Sequence, residues 1–353
     1  MYSEAKSLMD MMSTYKKMIQ TKVEQAITPR PLLSVSDLSN TPNEELFWRQ
    51  IQDYPRRGGK YLRSILVCVT CEALGGKLVE ALPTATAMEL SQNWILIHDD
   101  LEDRSEMRRG DKAHHLKFGE DHSINAGDAL HIIMWHALNE NVRILDPGRT
   151  QRICDEFQNM LLRTAVGQTA EMAARESYDL TEEDVYYILD GKTGYYTIAG
   201  PMRLGAMVAG KTLEDDPNLF ADINAFGLEL GRAFQITDDI LDLTSDFDGL
   251  KALGNDIQEG KRSVLLVKLL QKLQEGELTT LKAILDKPMG GKTQEDVQQV
   301  IDWMHTTGVV AEAKEEAQEY AQKARSVLER LPFTPEVHKR FEELVYFMVD
   351  RSY

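Results

Sequence analysis

The chain has 353 residues, 42% of them hydrophobic, and a formal net charge of −17. Its apolar content suffices for a large buried core, and its acidic balance argues against nucleic acid or an anionic membrane surface as a general partner. No basic–apolar–small leader pattern and no bilayer-length apolar run is found, so a cytoplasmic protein that is not a membrane protein is expected.

Apolar residues recur at helical spacing along nearly the whole chain, and no set of period-two, β-branched strands interrupts them. Residues 1–40 read as a helix followed by a Pro/Ser-rich loop, marked by "TPRP" at Thr28–Pro31; they match no motif and suggest a surface for a partner subunit. Helical patterns follow at Lys60–Leu74, Ala81–Asp103, Ile124–Leu138, Arg152–Ala174, Ile223–Leu243 and Val309–Leu331. Cys68 and Cys71 sit one turn apart in the first of these. With no second ligand pair nearby and Cys154 as the only other cysteine, they read as small core residues, not a redox or zinc pair. Loops are expected at "DPGR" (Asp146–Arg149), "DDPN" (Asp215–Asn218) and "DKPMGG" (Asp286–Gly291). The segment from Val309 carries charges on one face and Ala, Val and Leu on the other, as a packed outer helix does; Leu331–Tyr353 matches no motif. The expected architecture is all-α, a single domain over residues 1–353 built from about a dozen helices.

One pattern occurs twice. DDxxD appears as Asp99, Asp100 and Asp103 after "NWILIH", and as Asp238, Asp239 and Asp242 after "GRAFQIT". On a helix the first and fifth positions share a face, so each copy stacks two carboxylates. Like charges at that spacing cost a few tenths of a kcal/mol, and a helix C-terminus adds to the penalty. Something cationic is therefore expected there. Mg²⁺ fits, because it is held by one or two carboxylates together with substrate phosphates and waters.

Basic residues lie near each cluster. Arg108 and Arg109 precede Gly110; "RRGGKYLRS" sets Arg56, Arg57, Lys60 and Arg63 around a glycine pair. Lys192 and Thr193 lie in "DGKTGYY", and Lys251, Lys261 and Arg262 in "GLKALGNDIQEGKRS". Arginine grips phosphate oxygens in pairs and lysine as a point charge, while glycine lets backbone N–H groups approach an anion. The pattern suggests two polyanionic substrates, one held through metal and one held directly.

From Arg57 to Ser263 the chain resembles the trans-isoprenyl (polyprenyl) diphosphate synthases, the farnesyl and geranylgeranyl diphosphate synthase-like family. The resemblance rests on "GGKYLR", "LIHDDLED…RRG", "HLKFG…NAGDAL", "GQTAE", "KTG", "FQITDDILD" and "GNDIQEGKRS", in that order. It implies the isoprenoid synthase fold, with helices around a central apolar tunnel, and a homodimer. It implies Mg²⁺, three ions bound with substrate diphosphate, at Asp99, Asp103 and Asp238, with Asp100, Asp239 and Asp242 in support. Arg108, Lys192, Thr193, Gln235, Lys251 and Lys261 would bind an allylic diphosphate. Gly59, Lys60, Arg63, Gln92 and Arg109 would bind isopentenyl diphosphate. Asp99, Asp103 and Asp238 with Arg108 and Lys192 form the implied catalytic set. Lys112, Glu171 and Ser263 depart from residues common in the family, but none removes a phosphate or metal ligand.

The implied reaction is head-to-tail prenyl transfer, which needs no side-chain nucleophile. His98 and His115 accordingly read as supporting residues. Trp94, five positions before Asp99, matches the place where a large aromatic closes the tunnel of short-chain enzymes, so a farnesyl or geranylgeranyl product is expected. A longer-chain synthase is the alternative. A terpene cyclase would not need Lys60, Arg63 and Arg109, and a non-catalytic subunit would be expected to lack some of the residues named above.

Overall fold

The computed structural model describes residues 7–29, 42–244, 253–288 and 290–349, and among these it is helical almost throughout. The all-α expectation holds: the strands among the described residues are one pair, β1 (Met107–Arg108) and β2 (Asp111–Lys112). Sixteen α-helices among the described residues replace the expected dozen, partly because two are single turns of five residues.

The chain divides into two compact units. The first comprises residues 1–155 and 204–212. It contains α1 (Leu8–Ala26), α2 (Pro42–Arg56), α3 (Leu62–Ala73), α4 (Leu78–Glu102), the β1–β2 ribbon, α5 (His114–Phe118), α6 (Glu120–Asn139) and a 3₁₀ turn at Glu140–Arg143. Helix α7 (Pro147–Ala174) begins there. The unit is organised on α4, which packs against α1, α3 and α6. Ala81, Ala85 and Ala87 let neighbours approach, while Met88, Leu90 and Ile97 are fully buried. Each such large side chain stabilises the fold by about 1.5–3 kcal/mol. Cys68 and Cys71 belong to the same core; burial pushes both thiols up, Cys71 to about 12, so neither is a thiolate at neutral pH.

The buried face of α1 packs within the unit. Tyr15, Ile19 and Val23 are buried there, and the Tyr15 hydroxyl donates to Glu72 of α3. Of the "TPRP" segment, Thr28 and Pro29 follow the end of α1, whereas Arg30 and Pro31 lie outside the described residues.

The second unit comprises residues 156–203 and 213–353. It takes the rest of α7, then α8 (Glu182–Leu189), a π-helical segment (Asp190–Ala199) and the first turn of α9 (Gly200–Val208). It continues with α10 (Pro217–Asp242), α11 (Asn255–Glu259), α12 (Val264–Lys272), α13 (Glu275–Leu285), α14 (Gln294–Thr306), α15 (Val309–Leu328) and α16 (Pro335–Val349). Helix α10 packs against the π-helical segment and α15, burying Ile223, Phe226, Leu230 and Ile236 completely.

Two of the expected loops are helix starts. In "DDPN" the Asp216 side chain accepts the Leu219 N–H at 3.1 Å and Pro217 takes the first helical position of α10. In "DPGR" Asp146 accepts the Arg149 N–H at 2.9 Å and Pro147 opens α7. An aspartate cap followed by proline initiates a helix, and the cap contributes about 1 kcal/mol. The third, Asp286–Gly291, separates α13 from α14 as expected, with Met289 outside the described residues. Ser263 caps α12 by accepting the Leu266 N–H, a role that threonine would fill equally.

Candidate active-site elements

In the first unit, Asp99 and Asp103 occupy one face at the C-terminal end of α4, and the Asp103 N–H still donates to the Asp99 carbonyl at 2.8 Å. Asp100, one residue round the helix, is directed elsewhere. Its fully buried carboxylate accepts Arg108 Nε at 2.9 and 3.0 Å, a second Arg108 nitrogen, and the Tyr54 hydroxyl. Asp100 thus orients Arg108. Burial opposes the Arg108 charge, but the bonds to Asp100 outweigh it and raise the guanidinium above its ordinary value.

The Arg108–Arg109 pair owes its divergence to the ribbon. Arg108 pairs with Asp111 across a two-residue loop, Arg109–Gly110, whose φ angles are 51° and 78°. Positive φ at both positions is what a tight two-residue hairpin loop requires, and glycine meets it without strain. Arg109 adopts it as a non-glycine residue. Its guanidinium is held by the Tyr54 carbonyl and Asn93 Oδ1, both at 3.0 Å. A Cβ on Gly59 would lie 3.0 Å from that guanidinium, so Gly59 leaves the room in which Arg109 sits. Glu89 is buried nearby and accepts the Ser64 hydroxyl at 2.7 Å. Burial pushes its carboxyl up, against the Ser64 bond and the charges of Arg109 and Arg63. Burial likewise lowers Arg109. Lys60 is exposed and Arg63 half-buried. The Gln92 side-chain oxygen is buried without a hydrogen-bond partner among the described residues.

Trp94 is half-buried on α4. Its ring meets His98 edge-on at 5.8 Å and His131 of α6 at 4.9 Å. His98 is within 3.3 Å of the Ile124 carbonyl, so it ties α4 to α6. His115 lies in the single-turn α5.

In the second unit, the π-helical segment carries Lys192 and Thr193. It packs so closely on α10 that a Cβ on Gly231 would fall 2.3 Å from the Gly194 Cα. Arg232 fixes the start of the segment through two bonds to Asp190, at 2.8 and 2.6 Å. The Thr193 hydroxyl donates to Gln235 Oε1 at 3.1 Å, and Gln235 Nε2 donates to Asp239 at 2.9 Å. Lys192 instead lies 3.1 Å from both oxygens of Glu171.

Asp238 and Asp242 end α10. Asp242 accepts the Asp256 N–H at 3.0 Å, bringing α11 to this end. Asp239, Asp242, Asp256 and Lys261 line one cavity with Ser263, Leu265 and Met304. Lys261 pairs with Glu259 at 2.7 Å and lies 3.6 Å from Asp256. Burial, then the charge of Asp256, pushes the Asp239 carboxyl well up. Lys251 lies outside the described residues. Arg262 caps carbonyls of Arg175, Ser177 and Gly260, a structural use of that basic residue.

The described residues hold no preassembled group of three or more His, Cys, Asp or Glu side chains arranged as a metal cage. The donors present are hard carboxylate oxygens in small sets at helix ends. They fit Mg²⁺, which completes its shell with water and phosphate, and not a closed structural site. Sequence reading passed over Tyr54, Glu89, Asn93 and Asp256. Asp256 lies inside "GNDIQEGKRS", where only the basic residues had drawn notice; Tyr54 carries no motif.

A family model described as polyprenyl synthetase matches residues 44–304. A short chain isoprenyl diphosphate synthase from Methanothermobacter thermautotrophicus is 31% identical over 92% of this chain and 93% of its own. A geranylgeranyl diphosphate synthase from Saccharolobus solfataricus is 30% identical over 83% of this chain and 87% of its own. The crystal structure of geranylgeranyl pyrophosphate synthetase from Pyrococcus horikoshii superposes with a TM-score of 0.83 at 26% identity, covering 97% of this chain and 99% of that one.

Proposed function

The chain belongs to the polyprenyl synthetase family and is a trans-prenyltransferase, and from that membership we propose that it condenses isopentenyl diphosphate with an allylic diphosphate to give a farnesyl or geranylgeranyl diphosphate. The observation that carries the reading is the separate anchoring of two adjacent arginines, Arg108 by Asp100 and Arg109 by Asn93 and Tyr54. Each arginine is thereby available to a different diphosphate.

In this reading Asp99, Asp103, Asp238 and Asp242 would hold Mg²⁺ together with the allylic diphosphate, and Asp239 and Asp256 would support them. The metal would stabilise negative charge on the departing diphosphate. Arg108, Lys192, Thr193, Gln235, Lys251 and Lys261 orient that diphosphate and share its charge. Arg109, Lys60, Arg63 and Gln92 hold isopentenyl diphosphate with its double bond toward the allylic carbon, and Gly59 keeps room for Arg109. When the allylic carbon–oxygen bond breaks, that double bond attacks the carbon. Loss of a proton then leaves a product one isoprene unit longer, with inorganic diphosphate released. Trp94 limits the product by closing the apolar path beside α4. A homodimer is the expected assembly, as the resemblance implies.

The test supplies protein with Mg²⁺, labelled isopentenyl diphosphate and one allylic primer at a time, and sizes the products. The reading expects labelled farnesyl or geranylgeranyl diphosphate, in line with chain growth by single isoprene units. No product with any primer would refute it, and a cyclic hydrocarbon made without isopentenyl diphosphate would point to a cyclase.

A further inference from the structure

Tyr54 is fully buried on α2, and the reaction described above uses its backbone carbonyl but not its side chain. Yet it touches both arginine arrangements. Its hydroxyl donates to the Asp100 carboxylate that grips Arg108, and its backbone carbonyl accepts Arg109 Nη1 at 3.0 Å. The hydroxyl is itself held, accepting the His114 N–H at 2.9 Å. The ring lies beneath Arg57, whose guanidinium carbon is 4.7 Å from the ring centroid and whose Nη1 donates to the Arg108 carbonyl at 2.8 Å. The contacts of the phenol thus converge on keeping one carboxylate in place, and through it one guanidinium.

We propose that Tyr54 is a positioning residue: its hydroxyl fixes Asp100, and so Arg108, for the allylic diphosphate, while its carbonyl fixes Arg109 independently of the side chain. The proposal rests on the function proposed above and adds a residue to it. Among the described residues the Asp100 carboxylate is held by the side chains of Arg108 and Tyr54, and losing the phenol lets it rotate together with Arg108. Hydrogen bonds to charged groups are the strong ones. The loss therefore falls on the allylic side alone, because Tyr54→Phe keeps the ring, the Arg57 contact and the backbone carbonyl.

The experiment compares wild type, Tyr54→Phe, Arg108→Ala and the double variant. KM is measured for each substrate, and the affinity for inorganic diphosphate with Mg²⁺ is measured by calorimetry. Thermal melting checks that each protein is folded. Tyr54→Phe is expected to raise the allylic KM about tenfold and leave the isopentenyl KM within about twofold. In the Arg108→Ala background the same change should have no further effect on the allylic KM, since coupled residues are non-additive. Equal rises in both KM values, or full additivity in the double variant, would overturn the proposal, because a packing role produces those results. Should wild type make no product with any primer, the function fails. The positioning claim is then decided by calorimetry, where an unchanged diphosphate affinity in Tyr54→Phe would overturn it. Should Tyr54→Phe not fold, fluorotyrosine at position 54, which keeps the ring and changes only the donor strength of the hydroxyl, must shift the allylic KM and leave the isopentenyl KM unchanged; an unchanged allylic KM, or equal shifts in both, would overturn the proposal.

Discussion

Asp100→Asn is the substitution whose cost follows most directly from the structure. The Asp100 side chain is 0% exposed and that of Arg108 is 26% exposed. Asparagine preserves the volume but removes the charge and turns one acceptor into a donor. Arg108 and Tyr54 already supply donors to both oxygens, so an N–H group would face another N–H or O–H. Breaking a buried ion pair costs about 3–5 kcal/mol. Arg108 can recover part of its hydration, which brings the expected loss to about 2–3 kcal/mol. Asp111 supplies an internal comparison, because its bridge to Lys117 has side chains 49% and 36% exposed. Asp111→Asn, at an exposed pair, should be the milder change of the two. Urea unfolding followed by tryptophan fluorescence, with the allylic KM measured in parallel, reads both variants. If Asp100→Asn is no more destabilising than Asp111→Asn and leaves the allylic KM unchanged, Asp100 does not anchor Arg108.

Asp99→Asn and Asp238→Asn should each lower turnover by orders of magnitude with little change in melting temperature; wild-type rates in both would refute the metal assignment. Trp94→Ala should shift the products toward longer chains, which chromatography of the dephosphorylated alcohols will show, and an unchanged length removes Trp94 as the floor. Asp239 titrates upward in the folded protein, from burial and the charge of Asp256. A carboxyl raised on folding contributes stability that is complete below the ordinary carboxylate range and is lost as pH rises through its folded value. Without Mg²⁺, stability should therefore fall as pH rises out of the acid range, and Asp239→Asn should flatten that slope. A slope unchanged in Asp239→Asn would show that another group carries it.

The sequence made the helices and the ends of α4 and α10 legible, because apolar spacing marks a buried face and a DDxxD run marks where that face gives way to charge. It misplaced two helix starts, reading Asp146–Arg149 and Asp215–Asn218 as loops, since Asp-Pro serves both as a turn and as a cap. The π-helical turn at Asp190–Ala199 was not legible either; it depends on the close approach of Gly194 to Gly231, which are distant in sequence. At the site, residue types identified the arginines but not what holds them. Tyr54, Asn93 and Glu89 act across contacts that no local pattern encodes.

The most direct test of the central claim is stoichiometry: inorganic diphosphate released per isopentenyl unit incorporated, with Mg²⁺ and with the metal chelated. Chain elongation predicts one diphosphate for each unit added, and neither release nor incorporation after chelation. Diphosphate released without incorporation, or full activity after chelation, would contradict it.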